Sequence, residues 1–165
     1  MVALPMSPYQ RLRSIQLVRS SALAVGNNTA PAVSVPWESV AYNSGEESWW
    51  SSAAPSNIVM PYTGLYLINM QATWANSSTV TRRECQLNRG SVAGANQVMM
   101  HAFATSASAE IEDEHAHHNW SQLINVTAGQ IYIMALYQNS GASLNITSRY
   151  GMNPATITCV YLEDG

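Results

Sequence analysis

The chain has 165 residues, of which 10% are charged and none is lysine, and its formal charge at pH 7 is -3. A chain of this length forms one domain that buries roughly 70% of its unfolded surface without metals or disulfides, and so few cations exclude a general attraction for nucleic acid. Its polarity comes from Asn, Ser, Thr and Gln, which gives a neutral, hydrogen-bonding surface suited to contact with other protein.

Residues 1–12 carry Pro5 and Pro8 and have neither a strand nor a helix period. They read as an extended docking arm, laying Leu4, Met6, Tyr9 and Leu12 into a neighbour's groove while Arg11 and Arg13 meet its acidic groups. The domain proper is expected at 13–165. Residues 1–5 lack the basic head and apolar run of a secretory signal, and no stretch approaches 18 uninterrupted apolar residues. Synthesis in the cytoplasm and no membrane contact are therefore expected.

Residues 13–19 alternate as a first strand, Gly26-Asn27-Asn28-Thr29 supplies a turn, and 32–37 is a second extended piece that ends at Pro36-Trp37. The serine-rich stretch 42–57 reads as a loop that tucks Trp49 and Trp50 inward. A short apolar strand at 58–60 turns through Pro61-Tyr62-Thr63-Gly64 into the long strand around which the chain is organised. Tyr66, Ile68, Met70, Ala72 and Trp74 fall on one side of it, and Leu65, Leu67, Asn69, Gln71 and Thr73 on the other. Its second face, apolar at one end and amide-rich at the other, is of the kind that meets another subunit.

Further strands are expected at 80–88, 97–104, 120–126, 131–138, 143–147 and 155–162, with 106–119 an exposed loop that holds the acidic cluster. No segment beyond the arm has a 3.6-residue period, so the pattern predicts nine or ten short strands and no long helix: an all-β domain. The near-continuous apolar run 131–137 and the terminal strand are expected to bury both faces of an inner sheet, which one domain cannot do alone. Tyr66, Tyr137 and Tyr161 are candidates for the resulting contact between subunits.

Candidate chemistry is sparse. His115 and His117 would share a side of an extended loop and could ligate zinc or nickel with a carboxylate, but a solvated loop is the preferred reading, and no cofactor is implied. A cupin-type enzyme would need a glutamate just after the His-x-His pair and a further downstream histidine, and neither is there. No Gly-x-Ser-x-Gly nucleophile motif occurs, so the chain is not expected to be an enzyme. Cys85 and Cys159 read as free buried thiols. The Asn-x-Ser/Thr triplets at Asn27, Asn76, Asn119, Asn125 and Asn145 read as turns and strand edges. Trp49, Trp50 and Trp120 read as core or interface rather than sugar platforms.

Three pieces stand in order: Met60-Pro61-Tyr62-Thr63-Gly64-Leu65-Tyr66-Leu67, then Val126-Thr127-Ala128-Gly129-Gln130-Ile131-Tyr132-Ile133, then Thr156-Ile157-Thr158-Cys159-Val160-Tyr161-Leu162. This resembles the jelly-roll head shared by tumour necrosis factor and the globular domain of the complement collagen-like proteins, over about residues 13–163. Arg82-Arg83 before Leu87-Asn88-Arg89-Gly90, and Gln71-Ala72-Thr73-Trp74-Ala75 after Leu65-Tyr66-Leu67, resemble the versions carried on virions of tailed bacteriophages. The resemblance implies a jelly-roll β-sandwich and a tight homotrimer with an inner sheet on the threefold axis. It implies a structural protein that decorates or stabilises the capsid or tail surface of the virion, with the major capsid or tail proteins as partners. The alternative is a receptor-binding or adhesion protein that takes host-surface polysaccharide, a glycan groove lined by Trp49, Trp50 or Trp120 being its mark.

Overall fold

The computed structural model describes residues 13–29, 32–44, 47–75, 77, 82–91, 97–103, 117–148 and 151–163, with the backbone alone at 97–103, 117 and 163. The arm at 1–12 and most of the acidic loop lie outside these residues. Twelve strands follow in order: β1 (Arg13–Arg19), β2 (Leu23–Val25), β3 (Val33–Ser34), β4 (Ser39–Asn43), β5 (Ile58–Val59), β6 (Gly64–Thr73), β7 (Arg83–Arg89), β8 (Gln97–Phe103), β9 (His117–Val126), β10 (Ile131–Gln138), β11 (Leu144–Ile146) and β12 (Ala155–Glu163). Among the described residues there is no helix.

The strands form two main sheets. The first runs β4-β1-β12-β6-β9, the second β3-β10-β7-β8 with β5 also on β10, and β2 pairs with β11 in a small third sheet. Every strand pair is antiparallel. Consecutive strands such as β9 and β10 lie in opposite sheets, joined by the turn 127–130, where Gly129 takes a left-handed backbone (φ 79°) and its N–H donates to the carbonyl of Met60 at 2.8 Å. A side chain with a Cβ would be strained there.

Between the sheets lies one core, to which β6 gives Tyr66, Ile68, Met70 and Ala72, β1 gives Ile15 and Leu17, β12 gives Ile157 and Cys159, and the second sheet gives Cys85, Leu87, Tyr132, Met134 and Leu136. Period-two alternation on β6 puts every second residue here, as the sequence implied. Cys85 and Cys159 are free and buried, and burial pushes both thiols up to about 12, with Glu84 adding to the shift at Cys85. Neither is a thiolate near neutral pH.

The structure corrects three expectations. β10 and β12 are in opposite sheets rather than one inner sheet. β10 is apolar on both sides because Ile133 and Ala135 form a second small cluster with Ala32 on the outer side of the second sheet, with Tyr137 packed against it. The loop expected at 42–57 gives up its start to β4, an edge strand that pairs with β1 and is exposed at every residue, Val40 and Tyr42 included. β9 begins at His117, so His118 is buried in a strand rather than solvated in a loop.

The turns are held by side chains. Gln138, fully buried, donates to the carbonyls of Val25 (2.9 Å) and Ala142 (2.8 Å) and accepts from the Ser140 N–H (2.6 Å). Asn28 takes the left-handed backbone a tight turn requires (φ 49°), and its Oδ1 accepts the Tyr137 hydroxyl at 2.7 Å. These contacts tie the Asn27-Asn28-Thr29 turn to the end of β10.

Candidate assembly face

The outer side of the first sheet is built from the residues that alternate with the core. On β6 these are Leu65, Leu67, Asn69 and Gln71, all half-buried. Register fixes their neighbours: Leu67 lies between Leu123 of β9 and Val160 of β12, and Asn69 between Ser121 and Thr158, which in turn faces Gln16 of β1. Leu123 is 53% exposed and Leu162, at the bulge in β12, is 36% exposed. Leu65, Leu67, Leu123, Val160 and Leu162 thus make a continuous apolar area toward one end of the sheet.

Toward the other end the same face is amide and hydroxyl. Asn69 Nδ2 donates to Asn119 Oδ1 (2.9 Å) and Ser121 Oγ (2.7 Å), and Gln16 Nε2 donates to Thr158 Oγ1 (3.3 Å). Among the described side chains facing outward from β9, β6, β12 and β1, none is ionisable. A partner covering these described side chains would strip water from no charge, and the amides bonded to one another carry part of their satisfaction with them.

The three tyrosines expected at a contact between subunits have different placements. Tyr66 is fully buried, its hydroxyl donating to the Tyr62 carbonyl (2.9 Å) and accepting the Tyr62 N–H (3.1 Å), so it has no surface to offer another copy. Tyr161 shares this inward parity and packs on Tyr66 and Tyr62 at ring-centroid distances of 5.2 and 5.1 Å. Tyr137 is on the other sheet, its ring 5.9 Å from the Arg82 guanidinium. The three tyrosines are not brought together, and the leucines that alternate with them hold the face instead.

The other candidates fall as follows. Trp49 is sealed at 1% exposure, edge-on to Tyr66 at 6.0 Å, whereas Trp50 and Trp120 are half-buried, with Trp50 Nε1 donating to the Pro55 carbonyl at 2.9 Å. His115 lies outside the described residues and His117 is described by its backbone alone. Among the described residues no cluster of three or more His, Cys, Asp or Glu could hold a metal. Leu4, Met6, Tyr9, Arg11 and Leu12 lie outside the described residues. Arg13, at the start of β1, is drawn into the domain: Nη1 donates to Glu47 Oε1 at 3.2 Å and the guanidinium lies 4.4 Å over the Tyr62 ring. The Tyr62 hydroxyl also bonds Glu47, the first cause of that carboxyl's lowered pKa.

With strand order and core in hand, the chain can be set beside known structures. The Eiger tumour necrosis factor of S. frugiperda superposes with a TM-score of 0.61 at 15% identity, over 94% of this chain and 96% of that one. Murine APRIL gives 0.64 at 14% identity, over 92% and 100%. The globular domain of the zebrafish complement 1qA protein gives 0.56 at 9% identity, over 93% and 99%. The fold is the jelly roll of the tumour necrosis factor and complement globular-head proteins. No family model and no curated protein matches the sequence. The likeness of this TNF-like sandwich to those structures is one of backbone, as identities of 9–15% establish fold and carry no activity across.

One further polar centre supports the sheet edge. Glu38 accepts the N–H and hydroxyl groups of both Ser20 and Ser21 and pairs with Arg19 at 3.3 Å. The Ser20 and then the Ser21 hydroxyl hold its carboxyl down to about 2. The sequence gives little warning of it, because the carboxylate and its donors are 17 and 18 residues apart.

Proposed function

We propose that this chain is a non-catalytic, self-assembling module that forms a homotrimer through the outer face of the five-stranded sheet. It serves as a structural protein of a tailed bacteriophage particle, decorating or stabilising the capsid or tail surface. The observation that carries the assembly claim is the face across β9, β6, β12 and β1, where no described side chain is ionisable and Leu123 is more than half exposed. Apolar side chains left open on a face without described charges suit contact with another protein surface. A second copy supplies one of matching chemistry, with a closed ring satisfying every face.

The particle role draws its support from the virion-like motifs in the sequence and from the arm at 1–12. With Arg13 engaged by Glu47 and Tyr62, Arg11 is the cation left to the arm, which ends at Leu12, one residue before β1.

Multi-angle light scattering tests the first half. Wild type is expected at three times the chain mass, and Leu67→Arg, which buries a charge in the interface, is expected to give folded monomer. A wild-type monomer at micromolar concentration overturns the trimer. Co-sedimentation with particles lacking the protein tests the second half: a version without residues 2–12 is expected to stay trimeric and to lose attachment. Attachment at the full-length level would instead favour recognition through the loops, as in a receptor-binding protein for host polysaccharide.

A further inference from the structure

The first sheet ends laterally in β4 on one side and in β9 on the other. One row of register partners crosses it, from Tyr42 of β4 through Gln16, Thr158 and Asn69 to Ser121 of β9. Gln16 and Asn69 face outward, so Tyr42 shares their face, and it is 56% exposed. Leu123, two residues beyond Ser121 on the same face, is 53% exposed. Among the described residues the large apolar side chains left exposed are Val40, Tyr42, Val59, Leu123, Met152 and Leu162. The two most exposed of them therefore stand at opposite lateral edges of one face. β4 itself, Ser39-Val40-Ala41-Tyr42-Asn43, brings no formal charge to its edge.

In the trimer proposed above, on which this inference rests, each of three copies turns the same face toward one axis. Three such faces form the walls of a triangular prism. With the strands running along the axis, each corner of the prism joins one lateral edge of a sheet to the opposite lateral edge of the next. Such a contact is heterologous, so two different patches on one chain must fit each other. Strands lying across the axis would join strand ends instead, and the exposed side chains at the two lateral edges select the first arrangement. With roughly 4.8 Å between neighbouring strands, β4 and β9 lie about 19 Å apart, so Leu123 cannot cover the Tyr42 of its own chain. We propose that β4 is the second half of the subunit contact, with Tyr42 of one copy packed on Leu123 of the next. A tyrosine suits that corner: its ring buries apolar area, and its hydroxyl finds a partner among the amides and hydroxyls of the same face.

The test places a cysteine at each position of the full chain. Cys85 and Cys159 are buried, with both thiols pushed up to about 12, so they do not compete for the reagents. Tyr42→Cys, Leu123→Cys and the double variant are sized by light scattering, then oxidised or treated with a short bismaleimide, and run on a non-reducing denaturing gel. The double variant is expected to give covalent dimers and trimers and nothing larger, and each single variant to run as monomer. Crosslinking of a single variant to the extent of the double one overturns the proposal. So does a double variant that is trimeric in solution and uncrosslinked by either reagent, and in that case the trimer itself stands. A wild-type monomer overturns the trimer, and this contact with it. Should the double cysteine variant not assemble, a charge pair decides. Tyr42→Glu and Leu123→Arg are each expected to weaken trimerisation about tenfold or more. Combined in one chain, they set a carboxylate of one copy against a guanidinium of the next and are expected to recover most of that loss. Losses that simply add in the combination overturn the proposal.

Discussion

The two ends of the sandwich handle an arginine in opposite ways. At the end where β1 begins, Arg13 lies over Tyr62 and pairs with Glu47, and behind it Tyr62, Tyr161, Tyr66 and Trp49 form a ladder of rings 5.1 to 6.0 Å apart. At the other end Arg83 is deeper, next to a tryptophan, a histidine and a thiol, and has only a backbone carbonyl from the described residues. The first end carries its own counter-charge, and its aromatic rings are packed against one another. The second holds a positive charge that no carboxylate among the described residues meets. The same residue type is thus neutralised by a side chain at one end and held by a backbone carbonyl at the other, so the two ends draw their stability from different sources.

The sharpest way to break the contrast is at Tyr66. Tyr66→Ala removes the ring that joins Trp49 to Tyr161 and leaves a cavity in the core, with an expected loss of about 3–5 kcal/mol in denaturant unfolding at fixed protein concentration. A loss below about 1 kcal/mol would mean that the ladder is not what closes this end. Tyr66→Phe keeps the ring and deletes only the hydroxyl that bridges the Tyr62 N–H and carbonyl, and is expected to cost about 1 kcal/mol.

A smaller effect separates the carboxylates by pH. The Glu38 carboxyl is held down to about 2 from an ordinary 4.5, so its contribution is fully present above the unfolded value and is lost as pH falls through 4.5 toward 2. Glu38→Gln is expected to flatten the acid limb of the stability–pH curve in that window while costing no more than about 1 kcal/mol at pH 7, as suits a partly exposed pair. An acid limb unchanged by the substitution would remove Glu38 from the account. Smallest of all is the pair His115→Ala and His117→Ala, expected to change stability by less than about 0.5 kcal/mol. A large loss reproduced by adding a chelator to wild type would restore a metal to that segment.

Much of this was legible in the residues. The alternation from Leu65 to Trp74 gave both the strand and its two faces, and the Pro61–Gly64 and Thr127–Gln130 turns marked where the chain reverses, because period-two burial and turn chemistry are local. What could not be read is non-local. β2, of three residues, is too short for a period to show, and β4 exposes every residue, so pairing with strands far away in sequence rather than a local pattern defines both. Tyr66 and Tyr161 were proposed for a subunit contact on residue type, whereas parity turns both toward the core, Tyr66 completely. Arg83 was passed over because it sits next to Arg82, which is exposed and paired with Glu84, and sequence alone does not tell which of two adjacent arginines a strand turns inward.

In the homotrimer proposed above, the face across the first sheet also sets how fast copies find one another. With no ionisable group among the described side chains of that face to steer the encounter, association is expected near the unassisted docking rate of about 10⁵–10⁶ M⁻¹ s⁻¹, with little dependence on salt. Chains that trimerise in this way pass first through a monomeric interval whose length is set by concentration, and during it Leu123 and Leu162 are open to other apolar surfaces. Crowding many chains together at one site of synthesis would then shorten that interval.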